Sequence, residues 1–172
     1  MFLDAGHLKK ILGARVPSTV AGVSGVTHDS RKVEPGFAFV AVPGFKRDGG
    51  EFVPAALEKG AALVVAEREV PGAPTIVVPD ARASLAALAC AGFGEPSGGM
   101  EVYGVTGTNG KTTTSYALYA VLVAALGEAS VGLMTTAEIV VGGRRRAAAH
   151  TTPEAVEVQR ALAQMRDAGV RR

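Results

Sequence analysis

The chain has 172 residues, of which 48% are hydrophobic, 20% charged and 5% aromatic, enough for one ordinary domain or two small ones. Eighteen Lys and Arg against sixteen Asp and Glu give a net charge of +2, so bulk charge does not suggest a nucleic-acid binder. The single cysteine, Cys90, excludes a disulfide framework and a cysteine-based zinc site. Within Leu88-Ala89-Cys90-Ala91 it reads as a small buried hydrophobe. Histidines at 7, 28 and 150 have no metal-ligand spacing. The longest apolar run, Ala117 to Leu126, is ten residues, whereas a bilayer span needs ~20. Met1-Phe2-Leu3-Asp4 lacks the basic n-region and apolar h-region of a signal peptide. A cytoplasmic protein without a membrane span is expected.

In chain order, His7 to Leu12 predicts a short amphipathic helix that Gly13 stops. After the turn Pro35-Gly36, Phe37 to Val42 predicts a buried strand. Pro43-Gly44 ends it and Phe45 to Gly50 is a polar loop. Phe52, Ala55, Ala56 and Lys59 stand at helical spacing before Gly60. Ala62 to Ala66 and Thr75 to Val78 predict two further strands, and Asp80 caps a helix to about Phe93. Gly92 to Gly99 is the most linker-like segment, which divides the chain into domains at 1–95 and 100–172. Beyond it, the pattern predicts a strand at Glu101–Thr106, a Gly-rich loop, an apolar helix from Lys111 to Leu126 and a strand at Ser130–Met134. Glu138 to Val141 reads as a hairpin or strand end, with Arg144-Arg145-Arg146 as an exposed basic tip after Gly142-Gly143. A last helix opens at Thr151-Thr152-Pro153-Glu154, with a threonine as cap and Pro153 in the first turn. Its apolar stripe is Val158, Ala161, Leu162 and Met165. Strands alternating with helices predict α/β layers in both parts.

The strongest chemical signal is Gly104-Val-Thr-Gly-Thr-Asn-Gly-Lys-Thr-Thr-Thr114, between a predicted strand and a predicted helix. Glycines let successive N–H groups turn toward one anion, and a helix N-terminus adds partial positive charge. Lys111 is suited to β and γ phosphates, and the Thr112 hydroxyl to Mg²⁺. The loop is a variant: the pattern G-x-x-x-x-G-K-[ST] needs glycine where this chain has Val105.

Gly107-Thr-Asn-Gly-Lys-Thr-Thr113 resembles the ATP loop of the Mur ligase superfamily, which includes folylpolyglutamate and cyanophycin synthetases. His28-Asp29-Ser30-Arg31, Pro35-Gly36, Phe39-Val40-Ala41, Gly44 and Asp48-Gly49 resemble the uridine-nucleotide domain of its MurE and MurF types. Thr151-Thr152-Pro153-Glu154 is similar to the MurE pattern. The resemblance covers nearly the whole chain, with three motifs in order. It implies an α/β fold: a small uridine-nucleotide-binding domain, then the start of a P-loop, Rossmann-like ATP-binding domain.

The implied activity is ATP-dependent addition of a diamino acid, meso-diaminopimelate or L-lysine, to UDP-MurNAc-L-Ala-D-Glu through an acyl phosphate, a step of peptidoglycan synthesis. By position, Gly107, Thr108, Asn109, Gly110, Lys111, Thr112 and Thr113 would bind ATP, with Lys111 catalytic and Thr112 on Mg²⁺. Ser30, Phe45, Lys46, Arg47 and His28 match contacts to the UDP part, and Thr151 and Thr152 contacts to the muramoyl peptide. His150 stands where some members have asparagine and is a further substrate contact in this reading. The family continues through a Mg²⁺-binding carboxylate, a carbamoylated lysine and a C-terminal domain that selects the amino acid. The resemblance therefore implies a truncated ligase, inactive alone.

Other readings stand beside these. Asp29 and Arg31 form either a surface ion pair or part of the UDP site, and His7 is a helix-surface residue. The apolar face of 111–126 is core packing. A non-catalytic nucleotide-binding module, and a MurF-like or cyanophycin-type ligase, are the alternatives.

Overall fold

The structure, a computed structural model, describes residues 2–13, 15–44, 47–148 and 153–172. The chain divides into two compact units, Met1–Phe93 and Gly94–Arg172. Among the described residues, no helix is long and apolar enough to cross a membrane.

In the first unit, β1 (Leu3–Asp4) leads into α1 (Ala5–Leu12). Asp4 caps α1 by accepting the His7 N–H at 2.9 Å, and Gly13 closes it. The Asp4 carboxylate also meets His7 Nδ1 at 3.0 Å, a partner the sequence did not reveal. β2 (Gly22–Val23) pairs antiparallel with β1. Four strands then form a parallel sheet in chain order: β3 (Gly25–Thr27), β4 (Phe37–Val40), β5 (Leu63–Ala66) and β6 (Thr75–Val77). β4 and β5 are almost wholly buried and read as continuous apolar runs, as strands covered on both faces do.

Alternation sends their side chains to opposite faces. Phe39, Ala41, Val64 and Ala66 form a cluster with Val53 and Ala56 of α2 (Val53–Glu58). On this unit's other helices, α3 (Ala81–Gly92) packs against β3, β4 and β5, and also against α1. Its Asp80 cap accepts the Ala83 N–H at 2.8 Å. The helix expected from Phe52 is shorter, because Gly49–Phe52 forms a 3-10 turn capped by Asp48. Cys90 lies on α3 and is half-buried rather than buried, since the strongly buried positions of that helix are Ala81, Leu85, Leu88 and Ala89.

The second unit departs further from the expected pattern. α4 (Lys111–Leu126) and α5 (Ala155–Asp167) sandwich an antiparallel sheet of β7 (Gly132–Met134), β8 (Glu138–Val141) and β9 (Arg144–Ala147). Leu133 and Val140 meet Tyr119 of α4 on one face, while Ile139 meets Ala161 and Met165 of α5 on the other. The three arginines are not a tip: Gly142-Gly143 makes the turn, and Arg144 to Arg146 form β9, an exposed edge strand. Charge along an edge discourages pairing with another chain.

No strand forms at 101–106 among the described residues. Glu101 donates its N–H to Arg171 at 3.0 Å, and Gly132 donates to Arg172 at 2.8 Å, so the last residues lie between Glu101 and β7. Past that point the backbone of 102–105 faces a groove of about 250 Å³ shared with Leu118, Leu133 and Met134. Among the described residues it has no neighbouring backbone to ladder with, and Val102 is 58% exposed. The core role expected for α4 is also reduced. Only Tyr119 of that helix is buried, and Val121 and Leu126 are exposed. α5 begins at Ala155 rather than at Pro153, because Glu154 and Glu157 form a reciprocal capping box.

Candidate functional site

Two regions gather the expected residues, one in each unit. In the first, β3 ends at buried Thr27, and the chain turns sharply through His28 and Asp29. The Asp29 N–H donates to Thr27 Oγ1 at 3.1 Å, and the Asp29 carboxylate accepts the Arg31 N–H at 3.0 Å. This caps a 3-10 turn over Ser30–Lys32. Asp29 also accepts two bonds from the Arg31 guanidinium, each 2.9 Å. That pairing holds the carboxyl at about 2, well below its ordinary value.

The loop after β4 approaches the same place. Asp48 accepts the Gly50 N–H at 2.9 Å and also pairs with Arg68. Gly49 lies so close to β4 that a Cβ there would stand 2.6 Å from both Val42 N and Val42 O. Only glycine lets this loop fold back onto the strand end. Arg47 is thereby brought over the Phe52 ring, 4.5 Å from its centroid, with an ion pair to Glu51 at 3.0 Å. A cation over an aromatic face is attracted by the ring's quadrupole.

His28, Ser30 and Arg47 therefore line one open cavity of about 460 Å³, together with Asp29, Arg31 and Phe52. It lies beyond the carboxyl end of β3, where parallel sheets place their ligands. Phe45 and Lys46 lie outside the described residues. Phe52 was missed by sequence reasoning; the signal was an aromatic at the end of a polar loop already carrying a cation. The Asp29–Arg31 ion pair forms, and it sits in the cavity wall, so its two readings are compatible.

In the second unit, residues 104–110 are without regular structure and exposed apart from half-buried Val105. Gly110 takes φ +77° immediately before α4, a conformation that costs other L-residues energy. Lys111 curls back, donating from Nζ to the carbonyls of Gly107 at 2.6 Å and Thr108 at 3.3 Å. Thr112 and Thr113 follow on the exposed first turn of the helix, which carries no acidic residue. An N-terminus with this polarity, preceded by a glycine-rich loop and opening on a lysine, favours a polyanion. His150, Thr151 and Thr152 lie outside the described residues. Among the described residues, no group of three His, Cys, Asp or Glu side chains assembles a metal site.

Comparisons with known proteins find matches in both units. Residues 22–92 match the model described as Mur ligase family, catalytic domain, and residues 105–172 match the Mur ligase middle domain. The chain is 45% identical over 163 residues to a UDP-N-acetylmuramyl-tripeptide synthetase of Roseiflexus sp. (strain RS-1), covering 91% of this chain and 31% of that protein. It is 44% identical over 143 residues to a UDP-N-acetylmuramoyl-L-alanyl-D-glutamate--2,6-diaminopimelate ligase of Geobacillus thermodenitrificans (strain NG80-2), covering 83% of this chain and 29% of that one. A solved structure of a ligase of the latter name superposes with TM-score 0.76 at 28% identity, over 99% of this chain and 34% of its own. The chain thus spans about a third of the length of the relatives it matches.

Proposed function

Because the chain belongs to the Mur ligase family, we propose that it carries the substrate-holding and nucleotide-holding parts of a MurE-type amide ligase. In this reading residues 1–95 are the uridine-nucleotide domain and residues 100–172 open the ATP-binding domain. The full-length ligase joins a diamino acid, meso-diaminopimelate or L-lysine, to UDP-MurNAc-L-Ala-D-Glu. The observation that carries the reading is the exposed glycine loop whose lysine already lies against its carbonyls at the mouth of a 16-residue helix.

The residues present fit a nucleoside triphosphate. The first turn of α4 has no acid to repel phosphate, and the left-handed Gly110 lets the loop amides turn into it. ATP, when bound, supplies the phosphoryl group that activates the substrate carboxylate. The loop from Gly107 to Thr113 would hold the phosphates, with Lys111 Nζ turning from its carbonyl acceptors to phosphate oxygens. The Thr112 hydroxyl would be this segment's ligand to a nucleotide-bound Mg²⁺, an ion that keeps several waters and is otherwise held by carboxylates and phosphate oxygens.

In the first unit, the cavity of His28, Ser30 and Arg47 would take the UDP part. Arg47 is exposed and available to a diphosphate. The Phe52 face and the Ser30 hydroxyl provide an apolar wall and a hydrogen-bonding group. His28, Phe45 and Lys46 belong to the same proposed contact. Thr151 and Thr152 are assigned to the muramoyl peptide by their family positions, and His150 beside them is a further proposed substrate contact.

Calorimetric titration tests the assignment. The chain should release or absorb heat with UDP-MurNAc-L-Ala-D-Glu, and Arg47→Ala should weaken that binding about tenfold. No heat with this compound overturns the substrate reading. Tighter binding of the corresponding tripeptide points instead to a MurF-like ligase. Independently, a fluorescent ATP analogue with Mg²⁺ should bind the second unit, and its failure to bind overturns the nucleotide reading.

A further inference from the structure

The helix that carries the nucleotide loop is fastened to its sheet by a polar contact that the loop motif does not include. Lys111 to Thr114 are exposed, so the first turn of α4 is not held by packing. Tyr116 is the first residue along the helix with a side-chain hydrogen bond to another element among the described residues. Its hydroxyl donates to Glu138 Oε1 at 2.6 Å.

Glu138 is itself tightly placed. Its N–H donates to Thr135 Oγ1 at 3.1 Å, and its carbonyl accepts the Thr135 N–H at 2.9 Å. The same carboxylate oxygen accepts from Arg145 Nη1 at 2.8 Å. Arg145 is directly opposite Val140 in the β8–β9 register, so Glu138, Val140 and Arg145 share the sheet face on which α4 lies. The Arg145 guanidinium stands 5.7 Å from the centroid of Tyr119, the one buried residue of α4. One carboxylate thus ties two strands to the helix within two turns of the nucleotide loop.

Resting on the nucleotide reading above, we propose that Glu138 is a positioning residue for the nucleotide loop, acting through Tyr116. The pair sets the rotation and tilt of α4 about its axis. Those two angles aim the Gly110–Thr113 amides and the Lys111 stem. The hydrogen bond to Glu138 also raises the Tyr116 hydroxyl above its ordinary value.

Electrostatics makes the proposal separable from simpler accounts. Removing the negative charge of Glu138 lowers repulsion toward a polyanion, so charge alone would tighten nucleotide binding. Loss of positioning weakens it. Binding of a fluorescent ATP analogue with Mg²⁺ is therefore measured for the chain, Tyr116→Phe, Glu138→Ala, Glu138→Gln and the Tyr116→Phe/Glu138→Ala double variant. Tyr116→Phe and Glu138→Ala should each weaken binding roughly 3- to 10-fold, in line with the net worth of one ordinary hydrogen bond. The double variant should lose no more than either single change, as a coupled pair requires. Glu138→Gln, which keeps an acceptor for Tyr116, should stay within about twofold of the parent.

Hydrogen exchange on the ligand-free chain provides a second readout. The amides of Thr114 and Ser115 should exchange faster in Tyr116→Phe, with the melting temperature little changed. Unchanged affinity in Tyr116→Phe, multiplicative losses in the double variant, or tighter binding in Glu138→Ala overturns the proposal. If the parent chain does not bind the analogue at all, the nucleotide reading fails and the positioning role falls with it. If the parent binds, Lys111→Ala abolishes binding and the Tyr116 and Glu138 variants do nothing, only the positioning role is refuted.

Discussion

Lys111 donates to the Gly107 carbonyl at 2.6 Å, folding its ammonium over the backbone of its own loop. The contact places a positive charge where a phosphate would stand, held by weak neutral acceptors that a phosphate oxygen outcompetes. Lys111→Ala should therefore weaken nucleotide binding at least tenfold. The side chain is exposed, so unfolding free energy should move by no more than about 0.5 kcal/mol. Analogue titration and thermal melting on the same preparation check both halves. Undiminished binding would remove Lys111 from the site.

Gly110 isolates backbone strain from packing. A Cβ at this position meets nothing within 4 Å, yet φ is +77°. Gly110→Ala should destabilise the second unit by about 1 kcal/mol through strain alone, and Gly110→Asn by less, because asparagine tolerates the left-handed region. Denaturant melts of the two variants give the comparison. Equal costs would mean that the residue's conformation is not what matters.

Gly49 offers the opposite case, where space rather than φ is limiting. The new Cβ of Gly49→Ala would lie 2.6 Å from the backbone of Val42, and backbone does not yield as a flexible side chain does. The loop carrying Arg47 must move. A loss of about 1–3 kcal/mol of stability is expected, with weaker binding of UDP-MurNAc-L-Ala-D-Glu. Calorimetry and melting measure the two effects, and a fully stable variant with parental affinity would contradict the close approach.

Asp29 gives a pH signature. Arg31 holds its carboxyl at about 2, against 3.8 ordinarily, so the folded chain releases the proton more readily than the unfolded one. The resulting stabilisation is complete above about 3.8 and is lost as pH falls toward about 2. Arg31 is largely exposed, so solvent screening reduces the benefit to about 1 kcal/mol. Asp29→Asn should cost that much at pH 7, with the difference from the parent narrowing below pH 3.8. Urea melts across that range test it, and a difference that widens in acid would reverse the assigned sign.

The elements easiest to read were those with local causes. Asp80 caps by a bond to an amide three residues on, and α4 starts and stops at glycines. β4 and β5 were visible as apolar runs. β1, β2 and β3 were not, because strands of two or three residues are too short for any period to register. The segment 101–106 had a strand's composition and formed none, since a strand is stabilised by its neighbours' backbone and here only Glu101 finds one. Arg144 to Arg146 looked like a solvated tip because their pairing with β8 depends on a ladder that composition does not encode.

The sequence by itself determined the groups available: glycines, one lysine and three threonines in a row before a helix are the groups that the proposed phosphate-binding loop calls on, and the order of three motifs pointed to the family. Tertiary structure decided which groups act together. Phe52 joined Arg47, Asp29 joined Arg31 in the wall beside Ser30, and Glu138 reached Tyr116 across 22 residues of chain. Local signals follow from the few residues on either side, whereas a side-chain constellation depends on how separate elements pack. That packing is set by burial summed over whole faces, not by any motif.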